Sequence, residues 1–514
     1  MSRLENSAKN IALSFGNNLL SSVLGFIGRT VFIYTLGTDY LGLAGLLGNV
    51  LGFLSISELG IASAIGFSLY KPLANKDYRS VSALMTIYRK AYAVIGGIVL
   101  FSGMVLFFFL DFFIPESQQP AGTEFAYFIF LINMVVGYFL SYKSTLISSD
   151  NQSFRLVPIN MIMTCVQCVL QISVLLCCED YLLYLVVQLC CSIISMAWQN
   201  AYITKVYKEV SFYSDEKLTD GQRLEIKKNI SGLVVAKIGD YLVNSTDNLI
   251  ITKLISLSAT GIYSNYLLLR NMVNGYISTV FSGITAGMGN VVAIENDKRK
   301  LELFDTMMFC AFFIYAFEAS CFMCLFNPFI DIWIGKAYTF GAGTVAIIVL
   351  NNYLTGLRIP LITMKGAAGK YLEDAWIPFA FAGINLLASI VLARHIGVAG
   401  VFLGTIVGSL LTADWYRPIV IYRTVFHAPV RLYYKKYVCY VFLGIAYVTV
   451  AYGVSNLVTM KNIYINFFIR AVVANIIPVL FNIFLFRKTR EFLEIKAMAL
   501  RLLTKVRSKK TYNK

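Results

Sequence analysis

Apolar runs of 18 or more residues recur from one end of this 514-residue chain to the other. A run of about 20 apolar residues is what an α-helix needs to cross the ~30 Å hydrocarbon layer of a membrane. In lipid a spanning segment must satisfy its own backbone groups, so it is a helix or part of a closed barrel. A barrel would show short alternating segments, not long apolar runs. Charged residues make up 14% of the chain, against roughly 25% in soluble domains. The chain therefore reads as an all-α, polytopic integral membrane protein. Ser2 to Asn10 is polar, and the first apolar run lacks a small-residue cleavage site, so no signal peptide is expected.

Fourteen spans are predicted, with cores at 12–36, 42–69, 91–113, 123–147, 156–177, 181–204, 229–255, 260–290, 304–327, 339–364, 376–394, 398–422, 434–455 and 463–486. An even number puts both termini on one side. Of the 44 Lys and Arg residues, 35 fall in segments on the side of the termini. Four (Lys253, Lys336, Arg394, Lys461) fall on the other side and five lie within spans. Cytoplasmic loops carry the Lys/Arg excess, which places both termini in the cytoplasm. The formal charge of +16 is then a topology signal, and no nucleic-acid partner is expected. The basic tail 487–514 reads as an anchor beside anionic lipid.

An internal repeat is visible. TLGTDYLGLAG (35–45) matches LISLSATGIYSN (254–265) with Gly42 on Gly261, and RLVPINMIM (155–163) matches AWIPFAFAG (375–383) with Pro158 on Pro378. The cytoplasmic turn at 70–79 falls on 290–299 at the same offset of about 220. Two six-helix halves of like orientation follow, related by an axis along the membrane normal. The expected organisation is 1–207 (helices 1–6), a cytoplasmic linker 208–228, 229–423 (helices 7–12), two extra helices in 424–486, and the basic tail 487–514. Such repeats place a ligand site between halves near the midplane.

Residues 229–255 form the most polar of the spans. Lys237, Asp240, Asn244 and Asp247 follow one another at three, four and three residues, one face of a helix. A charge at the centre of a lipid-facing helix costs about 2.5–3.5 kcal/mol even on the milder scale, so this face must look into protein or water. Asn18, Ser22, Gly25 and Arg29 make a similar stripe on helix 1, and Arg29 falls on Asn248 at the repeat offset. Tyr263, Tyr266, Arg270 and Asn274 make another on helix 8; Glu58, Glu318 and Arg358 lie in helices 2, 9 and 10. Arginines with planar forks suit phosphate or pyrophosphate. Carboxylates that take a proton or a cation suit coupling to an ion gradient. The candidate substrate contacts are Arg29, Arg270, Lys237, Asn244, Asn274 and Arg358. The candidate ion-coupling residues are Asp240, Asp247, Glu58 and Glu318, for H⁺ or Na⁺, with no cofactor. The tyrosines, including Tyr241, are candidates for stacking on sugar faces.

Other chemistries find little support. The ten cysteines lie within apolar segments, and Cys165-x-x-Cys168 and Cys321-x-x-Cys324 read as helix packing. The two histidines are His395 and His427. There is no Gly-Lys-Ser/Thr phosphate loop, and no long loop offers a nucleophile or an acid/base pair, so the chain is not expected to be an enzyme.

The segments LGTDYLGLAGLLGNVLGFLSISELGIASAIGFSLYKPLANKDY (36–78) and NSTDNLIITKLISLSATGIYSNY (244–266) resemble the Wzx-type polysaccharide repeat-unit flippases of the multidrug/oligosaccharidyl-lipid/polysaccharide exporter superfamily. The resemblance implies a bacterial plasma-membrane protein that flips an undecaprenyl-pyrophosphate-linked oligosaccharide for capsule or exopolysaccharide synthesis. It would work by alternating access through a charged cavity, among membrane lipids and beside polysaccharide synthesis enzymes. LGFIGRT (24–30) is similar to an LGF-x-R segment of related peptidoglycan-precursor flippases, which implies an anion contact for Arg29 and Arg270. A sodium site in some relatives implies Asp240, Asn385 and Thr405 as counterparts. The rivals are a cation-coupled multidrug antiporter, which would want an acidic cavity, a membrane glycosyl polymerase or acyltransferase, and a non-transporting scaffold for synthesis enzymes. Arg29, Lys237, Arg270 and Arg358 against Glu58, Asp240, Asp247 and Glu318 is an even count.

Overall fold

The computed structural model describes residues 3–54, 61–214, 246–368, 370, 373–457, 460–494 and 496. All the regular structure among them is helical. The main helices are α1 (Arg3–Gly52), α2 (Ile61–Ala74), α3 (Tyr78–Phe107), α4 (Thr123–Ser141), α5 (Val157–Cys178), α6 (Tyr181–Val206), α7 (Leu257–Ile294) and α8 (Asp297–Trp333). They continue with α9 (Ala342–Leu357), α10 (Ile359–Ala367), α11 (Ile377–Ile396), α12 (Val398–Leu411), α13 (Ala413–Ile421), α14 (Arg431–Leu457) and α15 (Ile463–Phe486). A further helical stretch covers 246–254.

Among the described residues, eleven helical stretches are long and apolar enough to cross a membrane. Residues 55–60 of predicted span 2 and 229–245 of span 7 lie outside the described residues. The outer surface carries large apolar side chains within the helices, Phe101 at 71% and Phe442 at 69% exposure among them. In water such a surface would drive aggregation; against lipid it is the expected face. The chain is a multi-pass membrane protein.

Local signals explain where helices begin. Gly37 (φ +81°) breaks α1 into the first two predicted spans, a backbone region glycine enters without steric cost. Pro158 and Pro378, matched by the repeat, each sit in the first turn of their helices, α5 and α11, where a missing N–H costs nothing. The segment between predicted spans 2 and 3 is mostly helical, since α2 runs to Ala74 and α3 starts at Tyr78. Asp77 caps α3, accepting from the Ser80 amide at 3.2 Å. The Ser80 hydroxyl and amide hold its carboxyl below the usual carboxylate range.

Asp180 caps α6 in the same way, accepting from the Leu183 amide at 2.9 Å. Asp180→Ala is expected to cost about 1 kcal/mol, read as a small fall in the thermal midpoint of detergent-solubilised protein. Asp180→Asn should restore it. An alanine variant as stable as the wild type would mean the cap contributes nothing.

Packing divides the chain into two units. The first is Met1–Thr279 with Ala375–Ala382 and Ala393–Val398; the second is Val280–Asp374, Gly383–Leu392 and Ala399–Lys514. In the first unit, α1 packs along α5, while α4 lies against α3 and α6. Residues 246–279, which the repeat assigns to the second half, pack with the first unit through a crossing of glycines. A Cβ at Gly42 would overlap the Leu257 carbonyl, and one at Gly261 would overlap the Thr38 carbonyl. Thr38 Oγ1 and Ser258 Oγ hydrogen-bond beside them at 3.1 Å. Gly42 and Gly261 are repeat partners, and so are Thr38 and Leu257. The two contacts are therefore the same contact made twice, as a two-fold axis between the repeats requires.

In the second unit α8 is the hub, packed against α9, α14 and α15. Gly356 admits the Tyr315 ring and Gly444 the Tyr353 ring. The Tyr353 hydroxyl donates to the Tyr440 carbonyl at 2.6 Å. The first residues of the basic tail are tied to this unit. Arg490 bridges Glu302 at 2.7 Å and Glu494 at 3.1 Å, and Lys436 bridges Asp305 at 2.9 Å and Glu491 at 3.0 Å. Asp374, 1% exposed in its side chain, pairs with Arg417 at 3.1 Å and with Lys365.

Candidate functional site

The first unit contains a cavity of about 510 Å³, lined from α1, α4, α5, α6 and α7. On α1 the lining residues are Ser21, Leu24, Gly25, Gly28, Arg29 and Phe32. Gly25 and Arg29 belong to the stripe read from the sequence; Asn18 and Ser22 do not line the cavity. The small residues at 21, 25 and 28 leave room one turn below Arg29. Its guanidinium donates from Nη1 to Ser264 Oγ at 3.1 Å, and Ser264 in turn donates to the Gly261 carbonyl at 2.7 Å. Arg29 is thus linked through one hydroxyl to the glycine crossing.

The opposite wall comes from α5 and α6. Thr164, Gln167, Cys168 and Gln171 line it at spacings of three, one and three, and Tyr181, Tyr184, Leu185 and Gln188 at the same spacings. That pattern is one face of a helix. The Gln167 amide donates to Gln171 Oε1 at 3.3 Å. Gln171 is 7% exposed, and its Nε2 has no hydrogen-bond partner among the described residues. The same holds for the Tyr181 hydroxyl. Tyr181 and Tyr184 stack at 6.4 Å, and Phe32 meets Tyr184 edge-on at 5.2 Å.

Among the described residues lining this cavity there is one charged side chain, Arg29, and no carboxylate. The site can receive an anionic group at Arg29 and hydrogen-bonding oxygens along the amide wall.

The other candidates are dispersed. Asp247 and Arg270 both lie within electrostatic reach of buried Tyr263, but neither lines the cavity, and Asn274 is half-buried a turn beyond Arg270. Tyr263 and Tyr266 are buried away from the cavity lining, and the tyrosines that line it are Tyr181 and Tyr184. Arg358 pairs with buried Asp414 at 3.5 Å and donates to Thr355 at 2.7 Å; Asp414 also accepts from Ser409 at 3.0 Å. Glu318, 3% exposed, accepts from Asn352 at 3.0 Å. Asn385 Oδ1 accepts from Thr405 at 3.1 Å and from Ser389 at 2.9 Å, where Gly404 and Gly408 let α12 lie close on α11. Lys237, Asp240, Tyr241, Asn244 and Glu58 lie outside the described residues. Thr164, Gln167, Gln171 and Gln188 are lining residues absent from the sequence-predicted candidates, because no charged residue shares their stripe. Their helical spacing within an apolar run was the signal available.

Solved structures share this architecture. The lipid II flippase MurJ in an inward closed conformation superimposes with a TM-score of 0.68 at 12% identity, over 93% of this chain and 99% of that one. The fold is that of MurJ and the MATE transporters. An inward-facing MATE multidrug-resistance transporter of the MOP superfamily gives 0.58 at 11% identity, over 79% and 96%. A point mutant of the Vibrio cholerae MATE transporter VcmN gives 0.57 at 11%, over 83% and 99%. At such identities the likeness speaks for the fold. No protein-family model matches the sequence, and no curated protein matches it significantly.

Proposed function

We propose that this protein is a flippase for an undecaprenyl-pyrophosphate-linked oligosaccharide, serving capsule or exopolysaccharide synthesis by alternating access. The observation that carries the reading is a cavity whose lining has Arg29 as its one charge and no carboxylate among the described residues. An antiporter for organic cations has to desolvate a cation in its cavity, and an arginine facing it would add repulsion. A pyrophosphate gains a bidentate, charge-assisted partner there. Arg270, Asn274, Lys237, Asn244 and Arg358 are retained as candidate substrate contacts, and Asp240, Asp247, Glu58 and Glu318 as candidates for ion coupling. The MATE-like reading rests on the shared fold, and the cavity's charge argues against it.

The test is to delete the gene and analyse undecaprenyl-linked glycans beside the surface polymer. Completed lipid-linked repeat units should accumulate while the surface polymer disappears. Unchanged lipid-linked pools, together with new sensitivity to cationic dyes, would instead establish the antiporter.

A further inference from the structure

The flippase reading assigns Arg29 to an anion and leaves the opposite wall unexplained. We infer that Gln167, Gln171 and Gln188, with Tyr181, form the subsite that reads the uncharged, hydroxyl-rich sugar portion of the cargo. This rests on the flippase reading and deepens it.

Glutamines in membrane helices commonly tie one helix to another, and this helix pair shows what such a tie looks like. Away from the cavity, Gln199 on α6 donates to Asn160 on α5 at 3.0 Å, so both helices are joined by a partnered amide pair. The cavity glutamines are arranged otherwise. Gln167 reaches along its own helix to Gln171, a contact that joins nothing. It occupies the Gln171 oxygen and leaves that buried amide nitrogen unpartnered among the described residues. A buried donor without an acceptor is costly, and a second such group, the Tyr181 hydroxyl, lies on the same lining. A ligand oxygen entering the cavity would relieve both.

The chemistry of the wall fixes the class of ligand. Amides and phenols are neutral and both donate and accept, so they neither require nor reject charge. That suits hydroxyls and ring oxygens set side by side on a sugar face, with Tyr181 and Tyr184 offering an apolar surface for its C–H side. Discrimination of this kind is strong, because a cargo lacking those oxygens leaves buried donors unpaired.

The test compares two probes on the purified full-length protein in nanodiscs: undecaprenyl pyrophosphate, and the same lipid bearing a trisaccharide. The wild type should bind the glycosylated lipid more tightly. Gln171→Leu should weaken it about fivefold while binding of the bare lipid stays within twofold, which also reports that the variant is folded. Replacing Gln167, Gln171 and Gln188 together by leucine should erase the preference. Equal binding of the two lipids by the wild type, or equal losses for both in the leucine variant, would overturn the subsite. If neither lipid binds, the flippase reading fails. The wall is then judged by a free trisaccharide at millimolar concentration: Gln171-dependent binding would uphold a sugar subsite, and its absence would dismiss it.

Discussion

On the flippase proposal, Arg29→Ala should abolish surface polysaccharide while the protein remains in the membrane at its normal level. That is the expected result, and it follows from what the side chain does in the cavity. A guanidinium presents five N–H donors, and the hydrogen bond to Ser264 engages one nitrogen. The rest of the fork is available to an anion in a site with no other charge among the described residues that line it. Each charge-assisted hydrogen bond lost costs about 1.5–3 kcal/mol, or about 10- to 150-fold in affinity. Removing a half-buried cation from a membrane span also removes its desolvation cost, so the variant should fold at least as well. Arg29→Lys keeps the charge and loses the fork, and should fall between the two. Lipid-linked glycan analysis and an immunoblot of the membrane fraction check the prediction together. Normal export by the alanine variant would remove Arg29 from the site.

The repeat shows why Arg29 has no charged counterpart at its equivalent position. Arg29 and Asn248 are equivalent positions, as are Ser264 and Gly45. The Arg29–Ser264 hydrogen bond therefore has a counterpart at Asn248 and Gly45, and there the Asn248 amide nitrogen lies 3.7 Å from where a Gly45 Cβ would sit. One copy of the motif makes a charged contact and the other a small, neutral one. The two-fold frame supplies the geometry, and divergence between copies supplies the polarity.

Fold and site were legible to different degrees for physical reasons. Apolar runs, loop charge and the repeat offset act over many residues, so the helical plan and the equivalence of Pro158 with Pro378 could be read directly. A charge in an apolar span is costly wherever it sits, which singled out Arg29. The same cost does not say how a charge is satisfied, and Arg358 is satisfied by Asp414, a residue the sequence reading did not weigh. Neutral amides raise no comparable alarm, so the Gln167–Gln171–Gln188 wall emerged only when α5 and α6 were seen to face one cavity. Tyr263 and Tyr266 share a helical stripe with Arg270, yet periodicity alone cannot tell a stripe facing a cavity from one facing another helix.

Gly42→Val should shift the protein away from the conformation described here and slow transport severely. At Gly42 and Gly261 the two repeats meet backbone to backbone, and any side chain at either position would occupy the space of a carbonyl on the other repeat. Overpacking of this kind costs about 1–3 kcal/mol, enough to move a two-state equilibrium about 5- to 150-fold toward any state in which the crossing is parted. In the proposed alternating-access cycle the crossing parts in one of the two states, and the Arg29–Ser264–Gly261 hydrogen-bonded chain links the crossing to cavity occupancy. A reporter is at hand in Thr38 and Ser258, whose hydroxyls lie 3.1 Å apart across the contact. Cysteines at these two positions should crosslink readily in the otherwise unaltered protein and poorly when Gly42→Val is added. Gly261→Val should act like Gly42→Val, because the two contacts are symmetry equivalents. Gly42→Ala should give a weaker version of the same shift. Unchanged crosslinking together with full export would mean that the crossing is a fixed joint, and that any alternation of access hinges elsewhere.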